Sequence, residues 1–202
     1  MRTFLTDAGP IDVSQKPPEW YDMIYSTEDV YWKPAWESKL YDLYLKICTK
    51  ITHHERVIDL GCGTGQLAQL MIELGKNFVL GIDFSPVAID YAKQLINNGN
   101  FVIADLYKPE TYENLPEYDC IVMSEVMEHL ENDITVLNFI LPETHLIFTV
   151  PNYITDSHVR GFRSEQEVHD RYDKYVEIKS LDEIMLDEKN NWKVWIMDGM
   201  NK

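Results

Sequence analysis

A chain of 202 residues has room for a single domain with a proper core. Its 18 Lys and Arg against 34 Asp and Glu leave a net charge of −16, which repels polyanions at long range and makes nucleic acid a poor partner. No stretch approaches the roughly 20 apolar residues that span a bilayer, and no basic segment followed by an apolar run opens the sequence, so a cytoplasmic protein without membrane contact is expected.

Pro17-Pro18 sets the earliest start of a helical segment rich in aromatics, Trp20-Tyr21-Asp22-Met23-Ile24-Tyr25, followed by Tyr31-Trp32 and Trp36. Such side chains join apolar area to a polar tip, which suits a lid over a small pocket. Residues 1–50 accordingly read as a helical cap and 51–202 as the core, one domain overall. Apolar residues at helical spacing predict a helix over 35–51, and the first strand begins near Arg56. That strand, Val57-Ile58-Asp59-Leu60, feeds into Gly61-Cys62-Gly63-Thr64-Gly65 and then a helix to about Leu74. The alternating glycines let the backbone turn sharply and a ligand approach closely, and the helix start beyond them offers free N–H donors.

The next strand, 78–83, ends in Asp83, 22 residues after Gly61 and near the offset at which an acid on the second strand reaches a ribose diol. Ser85 as N-cap and Pro86 at the first helical position start a helix to about Asn97. Strand 101–104 closes on Asp105, placed to hold an adenine edge. Strands at 119–123 and 145–150 flank a helix around 133–140; then come a helix near 164–173 with Ser164 as N-cap, a strand near 175–184, and a final strand over 192–197. Strands alternating with helices predict a Rossmann-like, doubly wound α/β fold with a mostly parallel sheet covered on both faces. Cys48, Cys62 and Cys120 are odd in number and far apart, and read as buried free thiols.

The stretches 57–65, 81–86, 104–106 and 118–130 resemble the class I S-adenosylmethionine-dependent methyltransferase family, strongly over about 51–155 and more loosely over 156–202. Gln66 stands where the G-x-G-x-x-G fingerprint of dinucleotide oxidoreductases would place its last glycine, so hydride transfer is the weaker reading. The resemblance implies S-adenosylmethionine as cofactor, S-adenosylhomocysteine as product, and a seven-stranded sheet closed by an antiparallel hairpin. It places Asp59, Gly61, Cys62, Gly63 and Gly65 on the methionine moiety, Asp83 on the ribose, Phe84 on the adenine, Asp105 and Leu106 beside the base, and Ser124 in the cofactor set. A zwitterionic sulfonium needs acceptors, donors and an apolar slot but no phosphate-binding lysines, which suits an acidic chain.

The active site is expected at the carboxyl ends of the strands, where Ser124-Glu125-Val126-Met127-Glu128-His129, Val150-Pro151-Asn152-Tyr153 and the aromatic N-terminal segment converge. His129 is the expected catalytic base, taking a proton from an acceptor hydroxyl, with a rate that falls as pH drops through the imidazole's own titration. The expected activity is methyl transfer to a small intracellular molecule at oxygen. One alternative is a non-catalytic cofactor-binding subunit. Another follows from Glu125, Glu128 and His129, which with His158 or His169 resemble the carboxylate and imidazole set of metal-assisted RNA 2′-hydroxyl methyltransferases. The acidity of the chain argues against RNA, and no metal is expected. Arg160 and Arg163 are placed either to meet an anionic acceptor group or to pair with the surplus carboxylates.

Overall fold

The computed structural model describes residues 2–6 and 9–202, with side chains from Val13 onward. It opens with an antiparallel hairpin, β1 (Arg2–Thr6) against β2 (Gly9–Val13), ahead of Pro17-Pro18, in a part of the 1–50 cap for which the sequence reading names no strand. Helix α1 (Pro18–Thr27) then starts with proline in its first turn, where a missing N–H costs nothing.

The seven-stranded sheet comprises β3 (Arg56–Leu60), β4 (Asn77–Asp83), β5 (Phe101–Ile103), β6 (Cys120–Met123), β7 (His145–Pro151), β8 (Val176–Asp187) and β9 (Trp192–Asn201). Its order is β5-β4-β3-β6-β7-β9-β8, parallel through β7 and antiparallel where β9 joins β7 and β8. Central strands covered on both sides need continuous apolar runs rather than alternation, and β6, Cys-Ile-Val-Met, is wholly buried. Chain order reverses between β3 and β6, so a crevice opens at their carboxyl ends.

Helices α2 (Tyr41–Lys50), α3 (Gln66–Glu73) and α4 (Pro86–Leu95) bury Leu43, Ile47, Leu67 and Ile89 on one face. On the other, α6 (Asp133–Phe139) and α7 (Glu165–Tyr172) bury Val136, Leu137, Val168 and Tyr172, beside the short α5 (Glu110–Glu113). The helix expected over 35–51 is broken: a 3₁₀ turn at Ala35–Glu37 ends in extended backbone at Ser38, and α2 begins only at Tyr41. The Ser38 hydroxyl accepts from the Leu40 N–H at 3.2 Å, a local bond that competes with helix continuation. Cys48, Cys62 and Cys120 are buried free thiols. Among the described residues, no helix is long and apolar enough to cross a membrane.

Candidate active site at the carboxyl ends of the strands

Gly61, Gly63 and Gly65 all adopt positive φ, of +76°, +51° and +82°. The turn is tied to its neighbouring strand: the N–H groups of Gly61 and Cys62 both donate to the Ile82 carbonyl, at 2.7 and 2.9 Å. A Cβ on Gly61 would lie 2.4 Å from Val126 Cγ2. Gly61→Ala therefore combines backbone strain with overpacking, and should cost about 1–3 kcal/mol in a denaturation midpoint; an unchanged midpoint would show that the turn relaxes freely.

Asp83 is 4 % exposed and already engaged: one oxygen accepts from the Gly63 N–H and the other from the Ser85 N–H, both at 2.9 Å. Burial nevertheless raises its carboxyl to about 6, with those backbone donors pulling the other way. Ser85 caps α4 by accepting from Ala88 N–H at 3.1 Å and donates to Asp22 of α1. Beyond Asp83, the cleft wall is formed by Phe84, Asp105, Leu106, Val126 and Leu130, with Gln15 and Lys16 from the N-terminal stretch. Asp105 steadies its own turn by accepting from Tyr107 N–H at 2.9 Å.

The segment 20–36 lies across the glycine loop. Thr64 donates to the Tyr31 carbonyl at 2.6 Å, and the Gln66 amide donates to the carbonyls of Val30 and Lys33 at 3.0 and 2.7 Å. Trp32 stacks on Tyr91 of α4 with ring centroids 5.5 Å apart. Gln66, which occupies the position of a fingerprint glycine, thus has a use of its own in holding this segment.

A second chamber, of about 350 Å³, adjoins the first, and Tyr21, Tyr25, Gly61, Glu125 and His129 line both. Its walls are largely aromatic, with Trp20, Tyr31, Tyr44, Tyr153 and Trp192; Tyr153 and Trp192 stack at 4.5 Å. No lysine or arginine lines it among the described residues. The buried oxygens Asp59 Oδ2, Ser124 Oγ and both of Glu128 have no hydrogen-bond partner. Burial, and then Asp83, push the Asp59 carboxyl to about 7. Glu125, at φ +56°, is raised to about 7 by burial against the hydrogen bond from Thr149, and burial followed by Glu125 holds Glu128 well above its usual value. Such a surplus of unpaired acceptors calls for a ligand rich in donors or positive charge.

His129 Nδ1 lies 3.0 Å from the Ser157 carbonyl, and His158 Nδ1 lies 3.2 Å from the Tyr153 carbonyl. Both rings therefore carry their proton on Nδ1 and present a bare Nε2. Their centroids are 4.9 Å apart, and Glu128, His129 and His158 each offer one ligand atom within 4.8 Å of the others. His169 takes no part: it sits on α7, paired with Asp173 at 2.9 Å. Arg160 is buried and donates to the carbonyls of Met127, Leu130 and Glu131, the last at 3.0 Å, with Asp133 at 3.4 Å. It braces the loop that carries Glu128 and His129, which resolves its role in favour of structure. Arg163 is exposed, and its backbone N–H donates to Glu167 Oε2 at 2.7 Å.

Several wall residues carried no signal in the sequence. Trp192 enters through the pairing of β9 with β7, and Gln15 through the N-terminal stretch, where it accepts from the Tyr107 hydroxyl at 2.8 Å and the Glu131 N–H at 3.0 Å.

A family model described as a methyltransferase domain matches residues 31–195. Among curated proteins, a ubiquinone biosynthesis O-methyltransferase of Pelagibacter ubique is 27% identical over 179 residues, covering 82% of this chain and 72% of that one. That of Neisseria meningitidis serogroup C is 30% identical over 142 residues, covering 61% and 58%. The chain spans about half to three-fifths of the length of several of the curated relatives it matches. Among solved structures, the N-methyltransferase NodS of Bradyrhizobium japonicum, in complex with S-adenosyl-L-homocysteine, aligns with a TM-score of 0.68 at 15% identity over 92% of this chain and 99% of that one, a likeness of fold.

Proposed function

Because this chain belongs to the class I S-adenosylmethionine-dependent methyltransferase family, an enzyme family with S-adenosylmethionine as cofactor and S-adenosylhomocysteine as product, we propose that it methylates a hydroxyl oxygen of a small molecule held in the aromatic chamber. The observation that carries this reading is the place of His129, which lines both clefts and turns an unprotonated Nε2 into the space between them. Bound S-adenosylmethionine supplies an electrophilic methyl group for in-line displacement.

The residues at hand fit that cofactor. The orphaned Asp59 oxygen and the Ser124 hydroxyl suit its ammonium and carboxylate. Asp83 spends one lone pair per oxygen on the loop and keeps others for a ribose diol. Phe84, Leu106 and Leu130 make an apolar slot, with Asp105 at its edge. Gly61 and Gly63 line the approach with Cys62 in the wall, while Gly65 faces Ala92 and Phe101 and serves the turn. Residues 1–50 then act as a cap on the 51–202 core, with Tyr21 and Tyr25 of α1 shutting out water. The absence of Lys and Arg from the chamber among the described residues favours an uncharged or cationic acceptor. The relatives named for ubiquinone biosynthesis O-methylation support oxygen as the acceptor atom.

The reading is tested by incubating the full chain with methyl-labelled cofactor and a panel of small hydroxylated metabolites, where label is expected in an O-methyl product. Label appearing solely on nitrogen, on carbon or in a macromolecule would overturn it. The ribose assignment has its own check: Asp83→Ala should weaken S-adenosylhomocysteine binding by about 1–3 kcal/mol in calorimetry. Unchanged affinity would remove it, and Asp83→Asn, which keeps an acceptor for Gly63, separates ligand loss from loop loss.

A second reading rests on Glu128, His129 and His158. Two neutral imidazoles oriented by backbone carbonyls, beside a buried carboxylate with both oxygens unpaired, are a donor set that fits a divalent cation. Such an ion would polarise the acceptor hydroxyl and so replace His129 as the means of deprotonation. Under the primary reading, full activity survives exhaustive chelation. Loss of activity that Mg²⁺ or Mn²⁺ restores would establish the metal-assisted one. Neither reading favours RNA, given the net charge of −16.

A further inference from the structure

We propose that Glu55, Cys120 and His145 form a separate binding site for a thiophilic divalent cation such as Zn²⁺, at the end of the sheet opposite the cofactor cleft. Cys120 opens β6 and His145 opens β7, and the two are direct partners in the parallel register, so their side chains leave the same face of the sheet. Glu55 arrives from the turn before β3. One ligand atom from each of the three lies within 4.8 Å of the others.

The arrangement around the imidazole matches what a metal-bound histidine needs. His145 turns Nδ1 toward Glu55 Oε1, at 2.5 Å, and its Nε2 lies 3.0 Å from Asp198 Oδ1 on β9. A carboxylate on the far nitrogen would keep the proton on Nε2, so that Nδ1, now bonded to Glu55, could ligate once a cation displaces the proton between them. Glu55 is itself held, with its other oxygen accepting from Thr52 N–H at 2.6 Å. Asp198 is paired with Lys50 at 3.5 Å, and Lys50 also meets Asp182 at 2.5 Å. Thiolate, imidazole and carboxylate together suit zinc, with a fourth position left for water.

Charge balances in either state. Without a cation, a proton on His145 bridges Glu55 and Asp198. With one, that proton and the Cys120 thiol proton leave, the carboxylate and thiolate of Glu55 and Cys120 neutralise the dication, and Asp198 stays paired with Lys50. The cation would stitch the turn before β3 to the first residues of β6 and β7. This cluster contains sulfur, whereas Glu128, His129 and His158 do not, so the two are separable by spectroscopy.

The test titrates Co²⁺ into the metal-stripped full chain. We expect a thiolate-to-cobalt charge-transfer band in the near ultraviolet that saturates at one equivalent and is competed away by Zn²⁺. Cys120→Ser should abolish the band, and Asp198→Asn should weaken cobalt binding by about 10–100-fold. Absence of the band in the wild type, or its survival in Cys120→Ser through Cys48 or Cys62, would overturn the proposal. Should Cys120→Ser fail to fold by circular dichroism, Glu55→Gln at the rim carries the same test: it should weaken cobalt binding at least tenfold, and unchanged affinity would count against the site.

Discussion

Replacing His129 by alanine should lower kcat by about 10²–10⁴-fold while leaving the Kd for S-adenosylhomocysteine nearly unchanged. Nδ1 is tied to the Ser157 carbonyl at 3.0 Å, so Nε2 is the nitrogen that faces the acceptor. Burial, reinforced by the neighbouring His158, pushes the imidazole down to about 3. The imidazole's own titration, through which the rate is expected to fall, thus lies well below that of an exposed histidine. With the folded pKa lowered, the ring is already neutral at pH 7 and stays neutral down to about pH 4, so lowering the pH from 8 to 5 should remove no rate through His129. So weak a base takes the proton only as the new bond to the methyl group forms, when the acceptor oxygen has become far more acidic. A His129→Ala enzyme that keeps more than about a tenth of kcat would end the base assignment. A steep loss of rate centred near pH 6.5 that disappears in the mutant would contradict the buried, neutral ring.

Arg160→Leu should destabilise the protein by about 3–5 kcal/mol, the usual cost of removing one partner from a buried charge pair. Asp133 is fully buried and takes bonds from Arg171 Nε at 2.8 Å and the Tyr172 hydroxyl at 2.7 Å, with Arg160 at 3.4 Å. Three carbonyls of residues 127–131 also lose their donors when the guanidinium goes. For a chain of this size the loss amounts to a fall in Tm of roughly 6–20 °C. Arg160→Lys should recover only part of it, since an ammonium cannot fork to three carbonyls. A denaturation midpoint unchanged in Arg160→Leu would mean that the loop is held by its other contacts, chiefly the bond from Val159 N–H to the Glu128 carbonyl at 2.8 Å.

The chain's local signals settled its architecture. The glycine loop, the apolar runs of β3, β4, β6 and β7, and the caps at Ser85 and Ser164 depend on interactions within a few residues, and each stands where the sequence puts it. The hairpin of β1 and β2 was missed because the reading of 1–50 as a cap names no element before Pro17, and the breaker pair Gly9-Pro10 opens a strand, β2, on the edge of its two-stranded sheet. The break at Ser38 was missed because apolar spacing continues across it while one side-chain bond redirects the backbone.

The site divides in the same way. Asp59, Asp83 and Asp105 were legible as neighbours of one cleft because each lies within two residues of the carboxyl end of its strand, β3, β4 or β5. Which histidine joins Glu128 and His129 depended on the return of residues 150–162 over β7, where Phe162 N–H meets the Pro151 carbonyl at 2.8 Å and Val159 N–H meets Glu128. That return brings His158 to the pair and leaves His169 on α7 beside Asp173. Trp192 reaches the chamber through the register of β9, and His129 loses its ordinary titration to burial beside His158. Strand register and burial are properties of the packed chain: they depend on which segments, far apart in sequence, exclude water from one another, and only the tertiary structure decides them.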